Sequence, residues 1–201
     1  MQIEWLLGCY VSRNLKWHKH IEQLLIKLRS RLNGLQHLRH VGTFILRKRL
    51  AEGIFNSVLS YCLPLFGGTE IEHLKSLQVM QNKAASIVCG SPLGFNRKHL
   101  FDKTQWMTVN QLVWYHTLVT VFRIRCNREP EYLTEILNVD SRNGRIVQSR
   151  FGLLISQKSF TYRGASQWNK LPEKIRKLDN IRCFKQNTKT WILANVDRFL
   201  D

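Results

Sequence analysis

Residues 21–38 read IEQLLIKLRSRLNGLQHL, and their apolar side chains recur at steps of three and four residues. This spacing places the side chains on one stripe of an α-helix, which is what a helix packed against a core requires. The stretch therefore predicts an amphipathic helix and a mainly α fold. The apolar positions are Ile21, Leu24, Leu25, Leu28, Leu32, Leu35 and Leu38.

Two further helices are predicted on the C-terminal side of this stretch. The first lies between Thr43, a suitable N-cap, and the pair Gly67-Gly68. The second lies between the capping-box pattern Thr69-x-x-Glu72 and a stop at Gly90. Together the helices predict a compact three-helix unit over residues 17–90.

The flanking regions complete the expected organisation. Apolar side chains alternate with other residues from Ile3 to Val11, so residues 1–16 are expected to form one short strand and a turn. Residues 91–201 predict a second helical region that opens with a loop reaching residue 107. Its first helix begins at Thr108-x-x-Gln111, and its last is capped by Asp179 or Asn180.

The composition favours a polyanionic partner. The chain has 201 residues, 44% of them hydrophobic, with 31 Lys and Arg against 14 Asp and Glu, for a net charge of +17. Such a basic excess in a folding sequence points to nucleic acid, although a protein with an ordinary basic surface remains the alternative. The five cysteines have no zinc-site spacing, which favours small apolar side chains in a reducing compartment.

The richest basic cluster spans residues 13–49, where Glu22 is the single acidic side chain. Point charges on helices contact a sugar-phosphate backbone without reading its sequence, so these residues are candidate nucleic-acid contacts. The alternative is an ordinary solvated helix face. We expect the cations to form one continuous electropositive stripe if the first interpretation holds. They are Arg13, Lys16, Lys19, Lys27, Arg29, Arg31, Arg39, Arg47, Lys48 and Arg49.

A second basic cluster is interleaved with aromatic residues. Cations beside rings suit single-stranded nucleic acid, because bases stack on the rings while phosphates meet the charges. The alternative is that Phe160 and Tyr162 are core residues. The cluster comprises Arg142, Arg145, Arg150, Lys158 and Arg163, with Phe151, Phe160 and Tyr162.

Catalytic and metal sites are not predicted. The pairs His18-x-His20 and His37-x-x-His40 have no carboxylate or thiol at ligand spacing beside them, so packing or capping is favoured for His20. The sequence also contains no Ser/His/Asp signature, no Gly-rich phosphate loop and no carboxylate pair at useful spacing.

A family resemblance begins in residues 160–185, FTYRGASQWNKLPEKIRKLDNIRCFK. The order Y-R-G-A-x-x-W-N-x-L-P-x-x-I-R, followed by F-K, resembles the C-terminal end of non-LTR (LINE-type) retrotransposon reverse transcriptase polyproteins. Three more blocks resemble the same family in the same order. They are Leu7-Gly8 with Leu15, Trp17, His20 and Ile21; Ser57–Gly67 with the run Leu74, Leu77, Gln78, Gln81, Asn82 and Ala84; and Trp106, Val121-Phe122, Pro130 and Tyr132-Leu133.

The resemblance implies a helical thumb-like bundle followed by a second helical region. In that family, adjacent aspartates hold the metals of an RNA-directed DNA polymerase, and no two of the aspartates here are adjacent. The chain is therefore expected to contribute no catalytic residue and no cofactor, whereas the parent polymerase would use Mg²⁺. The aspartates are Asp102, Asp140, Asp179, Asp197 and Asp201.

The resemblance also implies partners and a location. It implies RNA and DNA of the template–primer, the upstream palm and fingers of the parent polyprotein, and a nuclear or cytoplasmic ribonucleoprotein. No membrane partner is expected, because the longest uncharged run, from Thr104 to Phe122, contains polar residues and predicts a buried helix and not a membrane span. Two alternatives stay open: a non-functional retroelement relic, and a basic helical interaction protein without a nucleic-acid role.

Overall fold

The computed structural model describes residues 3–12, 16–40, 42–92, 94, 96–127, 130–137, 144–147 and 158–195. These residues form a mainly helical fold with a short two-stranded antiparallel sheet at the N-terminal end, which confirms the predicted fold class. The strands are β1 (Ile3–Leu6) and β2 (Cys9–Ser12). The helices are α1 (His18–His37), α2 (Phe44–Ala51), α3 (Ser57–Ser60), α4 (Leu63–Phe66), α5 (Ile71–Cys89), α6 (Arg97–Thr104), α7 (Val109–Asn127), α8 (Glu131–Ile136), α9 (Phe160–Lys170), α10 (Glu173–Arg176) and α11 (Ile181–Ala194).

The N-terminal segment is a hairpin, so the prediction of one continuous strand is wrong. Leu7 and Gly8 both have positive φ, 46° and 85°, and join two strands in which Leu6 pairs with Cys9. A two-residue hairpin turn of type I′ needs positive φ at both positions, which glycine adopts readily. Apolar side chains alternate with other residues through the turn without interruption. The sequence pattern therefore gives no sign that the chain reverses direction there.

Contacts between Cα atoms divide the chain into two compact units. The first contains Met1–Cys62 and Thr69–Val109, and the second contains Leu63–Gly68 and Asn110–Asp201. The predicted segments 1–16, 17–90 and 91–201 stay a prediction about the order of regions along a parent polyprotein. The contacts group the residues differently, because the hairpin and α6 pack within the first unit and α4 packs within the second.

The core of the first unit is built on the apolar stripe of α1, as predicted. Leu28 and Leu35 are fully covered, and the helix packs against α5, where Leu77 is also fully covered. Fully burying one leucine side chain stabilises a fold by roughly 1.5–3 kcal/mol. The stripe therefore fixes the position of the polar face of α1, which carries several of the candidate cations. The buried stripe residues are Ile21, Leu24, Leu28, Leu32 and Leu35.

The second predicted helix begins as expected but has an irregular middle. The side chain of Thr43 accepts a hydrogen bond from the backbone N of Leu46 at 3.3 Å. A π-helical turn at Glu52–Asn56 then connects α2 to α3. The Glu52 carboxylate accepts a hydrogen bond from Trp106 Nε1 at 3.0 Å, which fixes this turn to the segment that precedes α7.

The prediction for α5 is wrong at the N-terminus of the helix and confirmed at its C-terminus. Its N-cap is Glu70 without a side-chain hydrogen bond, and Thr69 Oγ1 instead lies 2.9 Å from His73 Nδ1, so the predicted capping box is wrong. At the C-terminus Gly90 has φ 68°, and the backbone N of Ser91 donates to Ser86 O at 3.0 Å. This is the predicted glycine stop.

Residues 91–107 were expected to form a loop, yet they contain α6. Asn96 Oδ1 accepts a hydrogen bond from Lys98 N at 2.9 Å and caps this helix, while Leu100 and Phe101 are buried. The helix has eight residues, and so short a segment shows too few apolar repeats to be recognised in sequence.

The core of the second unit centres on Trp168. This side chain is fully covered, it lies 5.7 Å from the Phe184 ring centroid, and its Nε1 donates to Gly144 O at 2.9 Å. Phe184 in turn stacks on Phe122 at 4.2 Å. Trp168 and buried Leu171 thus lie at the corner where α9 ends, and Asn180, one of the two predicted caps, caps α11 through Arg182 N at 2.8 Å.

Gly67 and Gly68 are close-approach positions in the second unit. A Cβ on Gly67 would lie 2.6 Å from Val113 Cγ1, and one on Gly68 would collide with the backbone O of Lys158. Larger residues would therefore force α4 away from α7 and α9. Across the described residues, no helix combines the length and the hydropathy that a bilayer span requires.

Candidate nucleic-acid interface

A groove in the first unit brings together aromatic rings and cations. It has a volume of about 880 Å³ and is lined by the hairpin, by one face of α1 and by the end of α3. Trp5, Tyr10 and Tyr61 contribute rings, while Lys27 and Arg31 contribute charge. Acidic side chains are absent from the described residues that line it.

The hairpin wall of the groove is fixed to the end of α3. Tyr61 Oη donates a hydrogen bond to Leu7 O at 2.6 Å. A Cβ on Gly8 would lie 3.1 Å from Tyr61 Cε1, so the turn approaches the ring closely. The positions of Trp5 and Leu7 at the edge of the groove are therefore set by backbone geometry and by one hydrogen bond.

The second wall is a face of α1. Lys27 and Arg31 are four residues apart, so they lie on the same side of the helix, and both are exposed. Arg29 lies about 200° around the helix from each of them, on the opposite flank. Lys27 and Arg31 therefore line the groove, and Arg29 does not.

His20 supports this wall as a buried packing residue, which agrees with its predicted role. The backbone N of Tyr10 donates to His20 Nδ1 at 3.4 Å, and the ring packs edge-on to Trp17 at 6.0 Å. Burial, with a smaller effect from Lys27, lowers the pKa of His20. The ring is consequently neutral at pH 7, and the positive charge of the groove comes from Lys27 and Arg31.

The Cys9 thiol near the groove is a poor nucleophile. Burial, followed by a hydrogen bond with Cys62, raises the pKa of the Cys9 thiol to about 12. The charge of Cys62 is also the largest cause of a raised pKa at Tyr61. Since the thiolate is the reactive form, Cys9 is a structural cysteine at neutral pH.

Two arginines of the basic cluster, Arg39 and Arg47, donate hydrogen bonds to backbone carbonyls and so stabilise the fold. Arg47 donates from Nε to Val88 O at 3.0 Å and from Nη1 to Arg39 O at 3.1 Å, and it also donates to Gly42 O. Arg39 Nη2 donates to Ser91 O at 2.9 Å. The bonds to Val88 O and Ser91 O satisfy carbonyls at the C-terminal end of α5, where positive charge also complements the helix dipole, and the other two satisfy carbonyls in the connection between α1 and α2.

The remaining members of this cluster have different surroundings. Lys19 pairs with Glu22 at 2.8 Å, and Lys48 lies 3.8 Å from Glu52. Lys16 and Arg49 are exposed, and Arg13 lies outside the described residues. The described cations therefore differ in the groups they contact, and the continuous electropositive stripe stays a prediction.

The second predicted cluster is divided in a similar way. Arg163 donates from Nε to Lys158 O at 3.1 Å and from Nη2 to Pro64 O at 2.6 Å, and burial lowers its pKa to about 10. Arg163 therefore holds α4 to the start of α9 within the second unit. Phe160 and Tyr162 are half-buried in α9, and Arg145 is exposed. Arg142, Arg150 and Phe151 lie outside the described residues.

The structure also contains a histidine pair that the sequence did not indicate. His18 Nδ1 lies 3.2 Å from His73 Nε2, joining α1 to α5, and His73 Nδ1 contacts Thr69 Oγ1 at 2.9 Å. No local pattern could have found this pair, because its members are 55 residues apart. Groups of three or more potential metal ligands are absent from the described residues.

Comparisons of the chain with protein-family models, with curated proteins and with solved structures find no match.

Proposed function

We propose that this chain binds the sugar-phosphate backbone of RNA and DNA as a non-catalytic C-terminal part of a non-LTR retrotransposon reverse transcriptase. The observation that carries the proposal is the groove of the first unit, where exposed Lys27 and Arg31 stand beside Trp5, Tyr10 and Tyr61. The colinear sequence blocks support the assignment to this family, and the parent polymerase would provide the catalytic aspartates and Mg²⁺.

The chemistry of the groove suits nucleic acid. Lys27 and Arg31 can each displace a counterion from a phosphate, and exposed rings offer surfaces on which bases stack. Positive charge is also abundant in the rest of the first unit, which has 15 basic and 6 acidic residues in its two segments. In this proposal the groove fixes where the nucleic acid binds, while the surrounding cations attract the nucleic acid from a distance.

The proposed interface is narrower than the full set of predicted cations. Arg39, Arg47 and Arg163 donate to backbone carbonyls, so replacing them would damage the fold. Lys27 and Arg31 have no such role in the described hydrogen bonds. Substituting these two residues should therefore change nucleic-acid binding without changing the stability of the fold.

A salt titration tests the proposal. A fluorescently labelled RNA–DNA hybrid is titrated with the whole chain at several salt concentrations. If the protein contacts about six phosphates, the log–log slope of affinity against salt should be about −4 to −5. Absent or salt-independent binding would contradict the proposal.

A matched pair of variants localises the interface. The K27Q/R31Q variant removes one Lys and one Arg from the groove, and K75Q/R182Q removes the same charge at exposed positions that do not line it. The groove variant should reduce the magnitude of the salt slope by about 1.8, or two phosphate contacts. Equal losses in the two variants would show that total charge, and no specific surface, determines binding.

The exposed hairpin favours a second candidate, a protein-contact surface. Trp5, Leu6 and Leu7 are 66%, 61% and 81% exposed, an unusual concentration of apolar side chains at one tip. Such a tip fits the expected packing against the palm of the parent polyprotein, and equally a basic interaction protein without a nucleic-acid role. If L7D improves solubility while hybrid binding stays unchanged, the hairpin serves a protein partner.

The relic alternative is tested by folding itself. A polypeptide released from selection accumulates destabilising substitutions and loses cooperative unfolding. A single sharp thermal transition of the purified chain would disfavour a relic, and a broad or absent transition would favour it.

A further inference from the structure

The hairpin presents two aromatic rings side by side to the groove of the first unit. Trp5 of β1 is paired directly with Tyr10 of β2 in the antiparallel register, and both side chains line the groove. Residues paired in this way have their Cβ atoms about 4.5–5.5 Å apart on one face of the sheet. Tyr10 is half-buried whereas Trp5 is 66% exposed, so most of the indole surface is open to solvent beside a ring that is already packed.

A third ring, that of Tyr61, is held in place at the end of α3. Its hydroxyl donates a hydrogen bond to Leu7 O at 2.6 Å, and the turn at Gly8 approaches the same edge of the ring. These contacts engage the hydroxyl and the adjoining edge, and the side chain remains 53% exposed. A ring whose position is fixed before a ligand arrives loses little conformational entropy when the ligand stacks on it.

The wall of the groove that α1 forms is basic. Lys27 and Arg31 lie one helical turn apart, which places their Cβ atoms roughly 5–6 Å from each other. Gln23 and Ser30, which line the same wall, are neutral, and buried His20 adds no charge at pH 7 because burial lowers its pKa. The groove therefore has rings on the hairpin and at the end of α3, and cations on α1.

We propose that this groove binds an unpaired stretch of RNA or DNA, whose bases stack on Trp5 and Tyr61 while its phosphates contact Lys27 and Arg31. Proteins that hold single strands combine these two elements, a basic groove that follows the backbone and aromatic rings on which the bases stack. This binding mode rests on the proposed nucleic-acid function and narrows it, because contact with the sugar-phosphate backbone alone does not require unpaired bases.

A continuous double helix fits the groove less well than a single strand. Within a duplex each base stacks on its neighbours, so Trp5 meets a base face only at an end or at an unpaired position. The volume of the groove, about 880 Å³, is also within the range of cavities that enclose small ligands. A short run of nucleotides with separated bases matches a groove of this size.

Two single strands with the same phosphates test the binding mode without changing the protein. The whole chain is titrated, at one ionic strength, with a labelled oligonucleotide and with the same oligonucleotide in which stable abasic units replace the bases. The strand with bases should bind on the order of tenfold more tightly, because stacking on a ring adds to the attraction of the phosphates. Equal affinities of the two strands would overturn the proposal.

A set of ring variants localises the stacking. W5A should weaken binding of the single strand by on the order of tenfold, whereas W5F keeps a ring and should keep most of the affinity. Y132A removes a ring of similar exposure, 63%, from α8 in the second unit, and should change the affinity less than about twofold. Equal losses in W5A and Y132A would contradict stacking in the groove. The abasic comparison decides the question if W5A fails to fold.

The blunt RNA–DNA hybrid separates this binding mode from the proposed function. W5A should change the affinity for the hybrid less than about twofold, because phosphates dominate that contact. If the hybrid binds with the expected salt slope while the W5A and abasic comparisons show no loss, backbone binding stands and stacking is excluded, which leaves Trp5 to a protein partner. If neither the hybrid nor the single strand binds, both proposals fail.

The source of the unpaired strand is distinguished by RNA and DNA oligonucleotides of the same sequence. A preference for one of them that is lost in W5A assigns the groove to that strand. Equal affinities that both depend on Trp5 show that the groove recognises base faces and not the 2′-hydroxyl, so that either strand occupies it.

Discussion

Arg47 and Arg176 show two different uses of a covered or half-covered arginine. In the first unit, Arg47 donates to the carbonyls of Val88, Arg39 and Gly42 and closes the C-terminal end of α5. In the second unit, Nε and Nη1 of Arg176 have no hydrogen-bond partner among the described residues. The comparison teaches that covering a guanidinium does not by itself stabilise the fold, because the stabilisation depends on carbonyls that accept hydrogen bonds from it.

The largest expected effect is at Arg47. Arg47→Met removes three charge-assisted hydrogen bonds and leaves carbonyls unsatisfied, so the free energy of unfolding should fall by about 2–4 kcal/mol. Urea denaturation followed by circular dichroism measures this change. Arg49→Met, at an exposed position two residues away, should stay within about 0.5 kcal/mol of the native chain. Similar values for the two variants would show that the hydrogen bonds of Arg47 do not stabilise the fold.

Arg163 should have an intermediate effect. It donates to Lys158 O and Pro64 O, but its buried Nη1 has no partner. Arg163→Met loses two hydrogen bonds and also removes one unsatisfied donor, so we expect destabilisation of about 1–2 kcal/mol in the same urea assay. A loss as large as that of Arg47→Met would mean that the unsatisfied donor has no energetic cost.

Arg176 should have the opposite sign or no effect. Arg176→Met replaces a buried charge that has unused donors with an apolar side chain of similar length, and stability should change by about 0 to +1 kcal/mol. Thermal melts measure this change in stability. Destabilisation comparable to Arg47→Met would show that Arg176 is already satisfied within the fold.

The smallest effect concerns pH and compares one histidine from each unit. Burial is the main cause that lowers the pKa of His20 and of His116, with smaller effects from nearby cations. Because the unfolded chain binds a proton first, stability should be unaffected above the ordinary histidine pKa of about 6.5 and should fall as pH decreases below it.

The histidine prediction is measured by melting temperature between pH 7.5 and 5. His20→Gln and His116→Gln should each flatten the decline, and His37→Gln, at an exposed position of α1, is the matched substitution. A decline of the same steepness in His20→Gln and in the native chain would show that burial of this ring does not couple stability to protonation.

The sequence was sufficient where structure depends on neighbouring residues. The stripe from Ile21 to Leu35 predicted the buried face of α1, and Thr43, Gly90 and Asn180 marked helix ends correctly. These features are local, because a helical face or a cap involves residues within one or two turns.

The sequence was insufficient where a side chain meets a distant partner. Arg47 resembled its neighbours in a run of cations, yet its partner Val88 O is 41 residues away. The groove likewise needs Trp5 and Tyr61 to line the same surface. The periodicity of apolar residues gives no information about contacts between residues so far apart in the chain. Charge patterns therefore identified candidate cations but could not assign them to the interior or the surface.

The π turn at Glu52–Asn56 has a consequence for how this chain can vary in length. A π turn accommodates one extra residue within a continuous helical path, so deleting one residue there would restore regular α-helical winding between α2 and α3. Gly53 has open space where a Cβ would project, and its carbonyl accepts a hydrogen bond from Ser57 Oγ within the same turn. We therefore expect single-residue deletions to be tolerated at this turn more readily than in α1 or α5.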